Sequence, residues 1–280
     1  MTSSPDSPTP RPKATSERLS EANYQSNAVD YLIYLCHLAT YDFAVPFVEG
    51  RTVLDFGCGT GYGTHRLAPV CERITGVDVS DEAVDFATSA YVAPNLDYRT
   101  IQPLPDHQAA FADASFGAIT SFQVVEHIWD VDAYVDELFR LVEPGGVVVI
   151  ATPDRVTRLF RGQRPWNLYH VIEYDQHQLR AALERRFVDV EMHFITAPGV
   201  EQVELARDRK LRLLTYPVTF PHAPEALRTA GLRALKWVQS RGASKDTAEP
   251  KTFDFGLADV RIDREPRPSM DLIAVARRPA

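Results

Sequence analysis

The sequence predicts an α/β protein: a mostly parallel sheet with helices on both faces, carrying a helical elaboration toward the carboxyl end. Three observations lead there. Short apolar runs rich in Val and Ile alternate with amphipathic stretches over residues 52–151, and a glycine cluster, VLDFGCGTGYGT at 53–64, joins the first run to the first stretch. The chain has 280 residues and is 45% hydrophobic, enough to bury a full core. Strands that alternate with helices need right-handed crossovers, so they pair in parallel and are sandwiched between helices.

The elements follow in order. Val29, Leu32, Ile33, Leu35, Cys36 and Ala39 recur at helical spacing, which predicts a helix over 27–47. Strands are predicted at 52–56, 72–78, 96–101, 117–122 and 146–151, with helices near 60–69, 81–91 and 131–142. Ser80-Asp81 marks one helix start, and Glu-Pro-Gly-Gly at 143–146 ends another before the strand VVVIAT. After Pro153 come a loop, RVTRLFRGQRPWNLYHVIEY, a helix at about 175–186 and a strand-like FVDVEMHF; MDLIAVAR near the end is another buried-strand pattern. Residues 197–262 have a character of their own. A helix over 224–240 puts Leu227, Ala230, Gly231, Ala234, Leu235 and Val238 on one arc, with Arg228, Arg233 and Lys236 on the other. The expected organisation is a solvated tail over 1–18, a main domain formed by 19–196 with 263–280, and a lid or substrate-binding insertion over 197–262.

Charge and cysteine usage narrow the setting. The net charge of −8 argues against nucleic acid as a partner. Residues 207–241, however, hold eight Lys and Arg against only Asp208 and Glu225, a basic segment in an acidic chain. Such a segment suits an acidic or lipid-linked acceptor or contact with an anionic membrane surface; a solvated helix face explains any one of these charges equally well. Cys36, Cys58 and Cys71 show neither metal spacing nor an even framework, which suits a reducing compartment, by default the cytoplasm. No signal-peptide core is legible at the amino terminus, and no apolar run is expected to approach the roughly 18 residues that span a bilayer.

A strand running into a glycine turn and then a helix brings backbone N–H groups and a positive dipole end to a ligand. The spacing excludes two common ligand loops. Counting G-x-G-x-x-G from Gly57 puts Tyr62 at the third glycine, counting from Gly59 puts Thr64 there, and no Lys follows to make a P-loop. VLDFGCGTGYGT resembles the first motif of the Rossmann-like S-adenosylmethionine-dependent methyltransferases, an acid and G-x-G-x-G after an apolar strand. FADASFGAITSFQVVEHIWD and LFRLVEPGGVVVIATP resemble the family's later stretches, in order, so that the likeness runs from about residue 50 to 195. The resemblance implies a seven-stranded sheet whose last strand is antiparallel, and S-adenosylmethionine as cofactor. It implies that Gly57, Cys58, Gly59 and Gly61 lie against the cofactor, and that Asp55 holds its ammonium group directly or through water. Asp78, at the end of the next strand, would take the ribose hydroxyls, with Val79 beside it. Adenine falls to Gln102, where the family often has an acid; Asp106 and Asp113 lie further along. Gly117 also departs, standing where Ser-Phe-Asp is usual.

Methyl transfer to a hydroxyl needs a group that removes a proton. Gln123, Glu126 and His127 end the fourth strand on the acceptor side, with Gln123 also counted among the expected cofactor contacts, and a histidine of ordinary pKa suits that task. This stretch resembles the Glu-x-x-Glu-His of ubiquinone-type O-methyltransferases, in which the carboxylates and histidine take part in metal binding. Gln123 replaces the first glutamate, so no metal ligand is assigned, and magnesium is left as a compatible ion only. Asn167-Leu-Tyr-His170-Val-Ile-Glu173 resembles a signature of the same broad group. His170 would orient or deprotonate the acceptor, while Trp166 and Tyr169 offer flat faces for a sugar or ring; alternatively Glu173 caps the next helix and Tyr169 is core. The resulting expectation is O-methylation of a hydroxyl on a sugar, glycan or related small metabolite, with His127, His170 and Glu126 as catalytic candidates. An N-methyltransferase of an amino sugar or small amine, and a cofactor-binding regulator without turnover, stand as alternatives.

Overall fold

The computed structural model describes residues 27–103, 111–242, 252–266 and 268–280. The expected tail over 1–18 and Asp106 lie outside them. The strands are β1 (Thr52–Phe56), β2 (Arg73–Asp78), β3 (Leu96–Thr100), β4 (Phe116–Phe122), β5 (Val142–Pro153), β6 (Val188–Thr196), β7 (Arg261–Asp263) and β8 (Asp271–Arg277). They form one sheet in the order β3-β2-β1-β4-β5-β8-β6-β7. The first five pair in parallel, and β8, β6 and β7 join antiparallel. The expected seven strands become eight because β7 pairs with β6, for example Ile262 with Ile195, inside the stretch assigned to the insertion.

The helices are α1 (Ala28–Val48), α2 (Tyr62–Leu67), α3 (Asp81–Ala90), α4 (Val131–Leu141), α5 (Arg155–Arg158), α6 (Gln176–Leu183), α7 (Gln202–Thr219) and α8 (Glu225–Gly242). Period-two alternation sends side chains of each strand to two separate cores. Leu54, Phe56, Val148 and Ile150 meet Tyr134, Leu138, Leu179 and Leu183 from α4 and α6. Val53, Val147, Val149 and Ala151 meet Leu32, Cys36, Ala44 and Leu67 from α1 and α2. Both faces are therefore covered, as near-continuous apolar strands require.

Helix α1 corrects one expectation, being long and apolar enough to cross a membrane by length and composition. In this fold it lies against the sheet and buries Leu32, Leu35, Cys36, Tyr41, Ala44 and Val48. Its Asn27 cap accepts from the Asp30 amide, and Ser80, Asp130 and Asp175 cap α3, α4 and α6 in the same way. The strand order reverses between β1 and β4. In a sheet of this kind the crevice for a ligand opens at the carboxyl ends of those strands.

Candidate active site

The glycine loop leaves β1 at that crevice and is tied to its neighbour strand, since Gly57 and Cys58 donate their amides to the Val77 carbonyl at 2.8 and 2.9 Å. Its four glycines have different tasks. A Cβ on Gly57 would come within 2.3 Å of Val124, one on Gly61 within 2.6 Å of Ala87, and one on Gly63 within 1.9 Å of the Tyr41 ring. Those three let strand, helix and loop approach closely. Gly59, with φ +54°, is the only one of the four whose Cβ would meet nothing within 4 Å, so the open side of the loop lies there. Asp78 clamps the turn: its carboxylate accepts the Gly59 amide at 3.0 Å and the Ser80 amide at 2.9 Å. Val79 beside it is exposed, and a strand-end acid with an exposed apolar neighbour next to an open glycine suits a ribose and the ring attached to it.

Asp55 lies beneath the loop. It is buried, and its oxygens accept hydroxyl hydrogens from Thr64 (2.6 Å), Thr120 (2.9 Å) and Tyr41 (3.2 Å). Burial pushes its carboxyl up to about 6, against the pull of those three hydroxyls. These three donors, from α2, β4 and α1, tie the floor of the loop together through its carboxylate. Cys58 is buried, and burial raises its thiol. Gln102 lies exposed just past β3, while Asp113 is paired with Arg140 on the far side of that connection.

Past β4 the chain turns sharply. Gln123 has φ +57°, a left-handed conformation that a non-glycine residue adopts at a cost, and its Nε2 donates to Asp271 of β8 at 3.1 Å. The turn Val125–His127 then brings Glu126 and His127 to the sheet edge. The backbone carbonyl of Glu126 accepts the Val171 amide at 2.8 Å, stitching the 165–174 loop to it, and its Oε2 accepts from Thr152 at 2.9 Å. His127 Nδ1 lies 3.1 Å from the Tyr169 carbonyl, and His170 Nδ1 lies 2.8 Å from Glu173 Oε1. A carbonyl and a carboxylate only accept, so each Nδ1 carries hydrogen and each neutral imidazole keeps its lone pair on Nε2. The rings stand edge to face, 4.9 Å apart. The two histidines that were far apart in the sequence thus form one pair with Glu126.

A buried charge network supports that pair. Glu173 is held at about 2: burial opposes this, but Arg158 and His170 outweigh it. Arg158 grips both Glu173 oxygens at 3.0 and 3.2 Å, reaches Asp208 at 3.2 Å and lies under the Trp166 ring. Glu173 therefore serves His170 and Arg158, and the cap of α6 is Asp175. Trp166 is spent on Arg158, and Tyr169 carries Lys236 over its ring at 4.8 Å. Arg158 and Thr152 had no signal in the sequence, and Asp271, whose carboxyl burial pushes up, had only that of an acid opening an apolar strand.

The basic helix also turns out differently. Arg228 is buried and donates to the carbonyls of Pro165, Asn167 and His170, so it fixes the loop that carries His170. Leu232 is buried beside it, whereas Leu227 and Val238, expected on the inward arc, are exposed. The helix turns this way because buried loop carbonyls need a donor, which Arg228 supplies.

An open glycine at the carboxyl end of β1, an acid at the end of β2 and a parallel run 3-2-1-4-5 closed by antiparallel strands define a Rossmann-like methyltransferase. Comparisons with known proteins agree. Residues 54–150, from β1 to β5, match the family model described as a methyltransferase domain. A probable S-adenosylmethionine-dependent methyltransferase of Mycolicibacterium smegmatis is 30% identical over 243 residues, 87% of this chain and 88% of that one. A ubiquinone biosynthesis O-methyltransferase of Rhizobium leguminosarum is 31% identical over 113 residues, 40% of this chain and 44% of that one. Among solved structures, Haemonchus contortus phosphoethanolamine N-methyltransferase 2 in complex with S-adenosyl-L-methionine shares the fold with a TM-score of 0.53 at 17% identity, covering 90% of this chain and 56% of that chain. The chain belongs to the S-adenosylmethionine-dependent methyltransferases, and S-adenosylmethionine is its cofactor.

Proposed function

We propose that the chain methylates a hydroxyl of a sugar, glycan or related small metabolite, with an Nε2 atom of the histidine pair accepting the hydroxyl proton. The observation that carries this is the pair itself: two imidazoles whose Nδ1 atoms are committed to acceptors and whose Nε2 atoms are lone-pair bases beside the methyl-donor crevice. S-adenosylmethionine, when bound, supplies an electrophilic methyl group. The chain's own residues then have to align the acceptor and take its proton. His127 is the better exposed of the two and meets the acceptor, while buried His170, backed by ionised Glu173, orients it and stabilises positive charge on its neighbour. Gly59 and Asp78 hold the cofactor, and Asp55, Gly57 and Gly61 keep their loop in shape.

The charges nearby favour a neutral, polyhydroxylated acceptor over the acidic one the basic segment suggested. Arg158, Arg164, Arg207 and Arg228 are all bonded to carboxylates or carbonyls. Glu173, Glu204 and Asp208 answer Arg158 and Arg207, which leaves Glu126 and Asp271 as further buried carboxylates. The test is transfer of a labelled methyl group to a panel of sugars, glycans and their amino derivatives. Methylated hydroxyls support the reading; methylated amines alone replace it with N-methylation; and cofactor binding with no turnover on any acceptor supports a regulator.

One observation favours a second reading. Glu126, His127 and His170 offer ligand atoms that all lie within 4.8 Å of one another. Two imidazoles fixed through Nδ1 and one carboxylate suit a transition ion such as manganese or zinc better than magnesium, which prefers oxygen. There the three side chains would hold the ion and its charge would lower the pKa of the acceptor hydroxyl. Chelation decides: activity that survives supports the histidine base, and activity lost and then restored by manganese or zinc supports the metal.

A further inference from the structure

Helix α8 shows the outside world the wrong face for a solvated helix. Leu227 and Val238 are 46% and 59% exposed, and Ala226, Ala230 and Ala234 are exposed with them, whereas Arg228 and Leu232 face inward. At 100° per residue these exposed positions, together with exposed Trp237, make a continuous apolar stripe about 120° wide, with Arg233 along its edge. Its partner α7 adds Leu213, Leu214 and Tyr216, exposed at 61%, 56% and 43%. The two helices pack through Gly231 against Val218. An open groove of about 480 Å³ lined by Phe160, Arg161, Leu213, Tyr216 and Pro217 continues the apolar surface.

The charges on this pair are of one sign. Arg209, Lys210, Arg233 and Lys236 are exposed. The acids of α7 and α8 are otherwise engaged: Glu204 and Asp208 are buried, and Glu225 pairs with Arg164 and Arg228. This is a basic, apolar surface on a chain of net charge −8. We propose that the outer face of α7 and α8 seats on an anionic lipid surface, with Leu213, Leu214, Leu227 and Val238 entering the headgroup boundary and Arg209, Lys210 and Arg233 meeting lipid phosphates.

Charge complementarity selects this occupant. A second copy docked on the same face would bring the cation set against itself. The chain's own remaining segments are poor covers: Met1, Leu19 and Tyr24 are the large apolar residues of 1–26, Leu104 is that of 104–110, and 243–251 has none. The proposal also gives the face a relation to the chemistry, because the inner side of α8 holds the His170 loop through Arg228. A lipid surface on its outer side would lie about one helix diameter, roughly 10 Å, from that loop. It does not depend on which acceptor is methylated.

The test is co-sedimentation of the full chain with phosphatidylcholine vesicles with and without about 30 mol% phosphatidylglycerol, at low and high salt. Binding to the anionic vesicles that salt weakens, and little binding to the neutral ones, is expected. Arg209→Gln with Lys210→Gln should weaken partitioning about thirtyfold, at roughly fivefold per cation. Leu213→Gln with Leu227→Gln should weaken it at least tenfold. Val92→Gln, an exposed apolar position next to β3, should leave it unchanged. No binding to anionic vesicles, or binding that neither double variant alters, overturns the proposal. Self-association in lipid-free buffer that Leu227→Gln abolishes also overturns it, assigning the face to a second copy. Should the leucine variant melt early, the charge variant, at two exposed positions, decides.

Discussion

Replacing Gly59 and Gly61 by alanine, one at a time, separates the open cradle from its scaffold. Both glycines have positive φ, +54° and +84°, which costs an L-residue about 1–2 kcal/mol. At Gly59 that strain is the whole folding penalty, because the new methyl meets nothing within 4 Å; for a chain of this size it lowers the melting temperature by roughly 2–4 °C. At Gly61 the methyl would sit 2.6 Å from Ala87 Cβ and 2.8 Å from the Tyr98 ring. Overpacking adds about 1–3 kcal/mol to the strain, so Gly61→Ala should melt well below Gly59→Ala. Ligand affinity should go the other way. The Gly59 methyl enters the space assigned to the cofactor and should weaken S-adenosylhomocysteine binding at least tenfold, about 1.4 kcal/mol. Calorimetry at a temperature where both variants are folded should find the larger loss in Gly59→Ala. Wild-type affinity in Gly59→Ala, or equal melting of the two variants, would refute the division of labour among these glycines.

Three further outcomes follow from the site. His127→Ala should leave S-adenosylhomocysteine affinity within about twofold while lowering turnover at least tenfold, about 1.4 kcal/mol of barrier; steady-state kinetics beside calorimetry measures both, and unchanged turnover removes His127 from catalysis. Glu173 sits at about 2 against an ordinary 4.5, so its ionised form stabilises the fold above about pH 4.5, and that contribution, up to about 3 kcal/mol, is lost as pH falls toward 2. Asp55, raised to about 6 from 3.8, acts with opposite sign: its cost grows as pH rises from about 4 to 6. Urea unfolding across pH should therefore show the acid-side loss shrinking in Glu173→Gln and persisting in Asp55→Asn. Arg228→Met removes a donor from three loop carbonyls and should cost about 2–4 kcal/mol of stability. It should also reduce turnover far more than cofactor affinity, and Arg228→Lys, which cannot span the three carbonyls, should restore little of either.

Most of the parallel half of the sheet was legible because β1, β2, β4 and β5 are buried on both faces over most of their length. The cofactor end was legible because a glycine loop and an acid at the next strand end lie within thirty residues and need no knowledge of packing. Periodicity alone could not orient α8. It shows that Leu227, Ala230, Ala234 and Val238 share an arc, but which arc turns inward depends on loop carbonyls sixty residues away that Arg228 satisfies. The surroundings of Asp55 were hidden for a similar reason: only the fold shows Tyr41, Thr64 and Thr120 converging on it from three elements. The Glu173 partnership was hidden by a nearer use, since a glutamate two residues before a helix reads as a cap, and only the fold brings Arg158 and His170 to it.

The central claim is that this methyltransferase hands its methyl group to a hydroxyl at the His127–His170 pair. The most direct test is a carbon-13 NMR spectrum of products formed with methyl-labelled S-adenosylmethionine and a panel of saccharides and their amino analogues. A labelled methyl resonance in the methyl-ether region, lost in His127→Ala, is the predicted result. A label found only on nitrogen, or an ether signal undiminished in that variant, would contradict it.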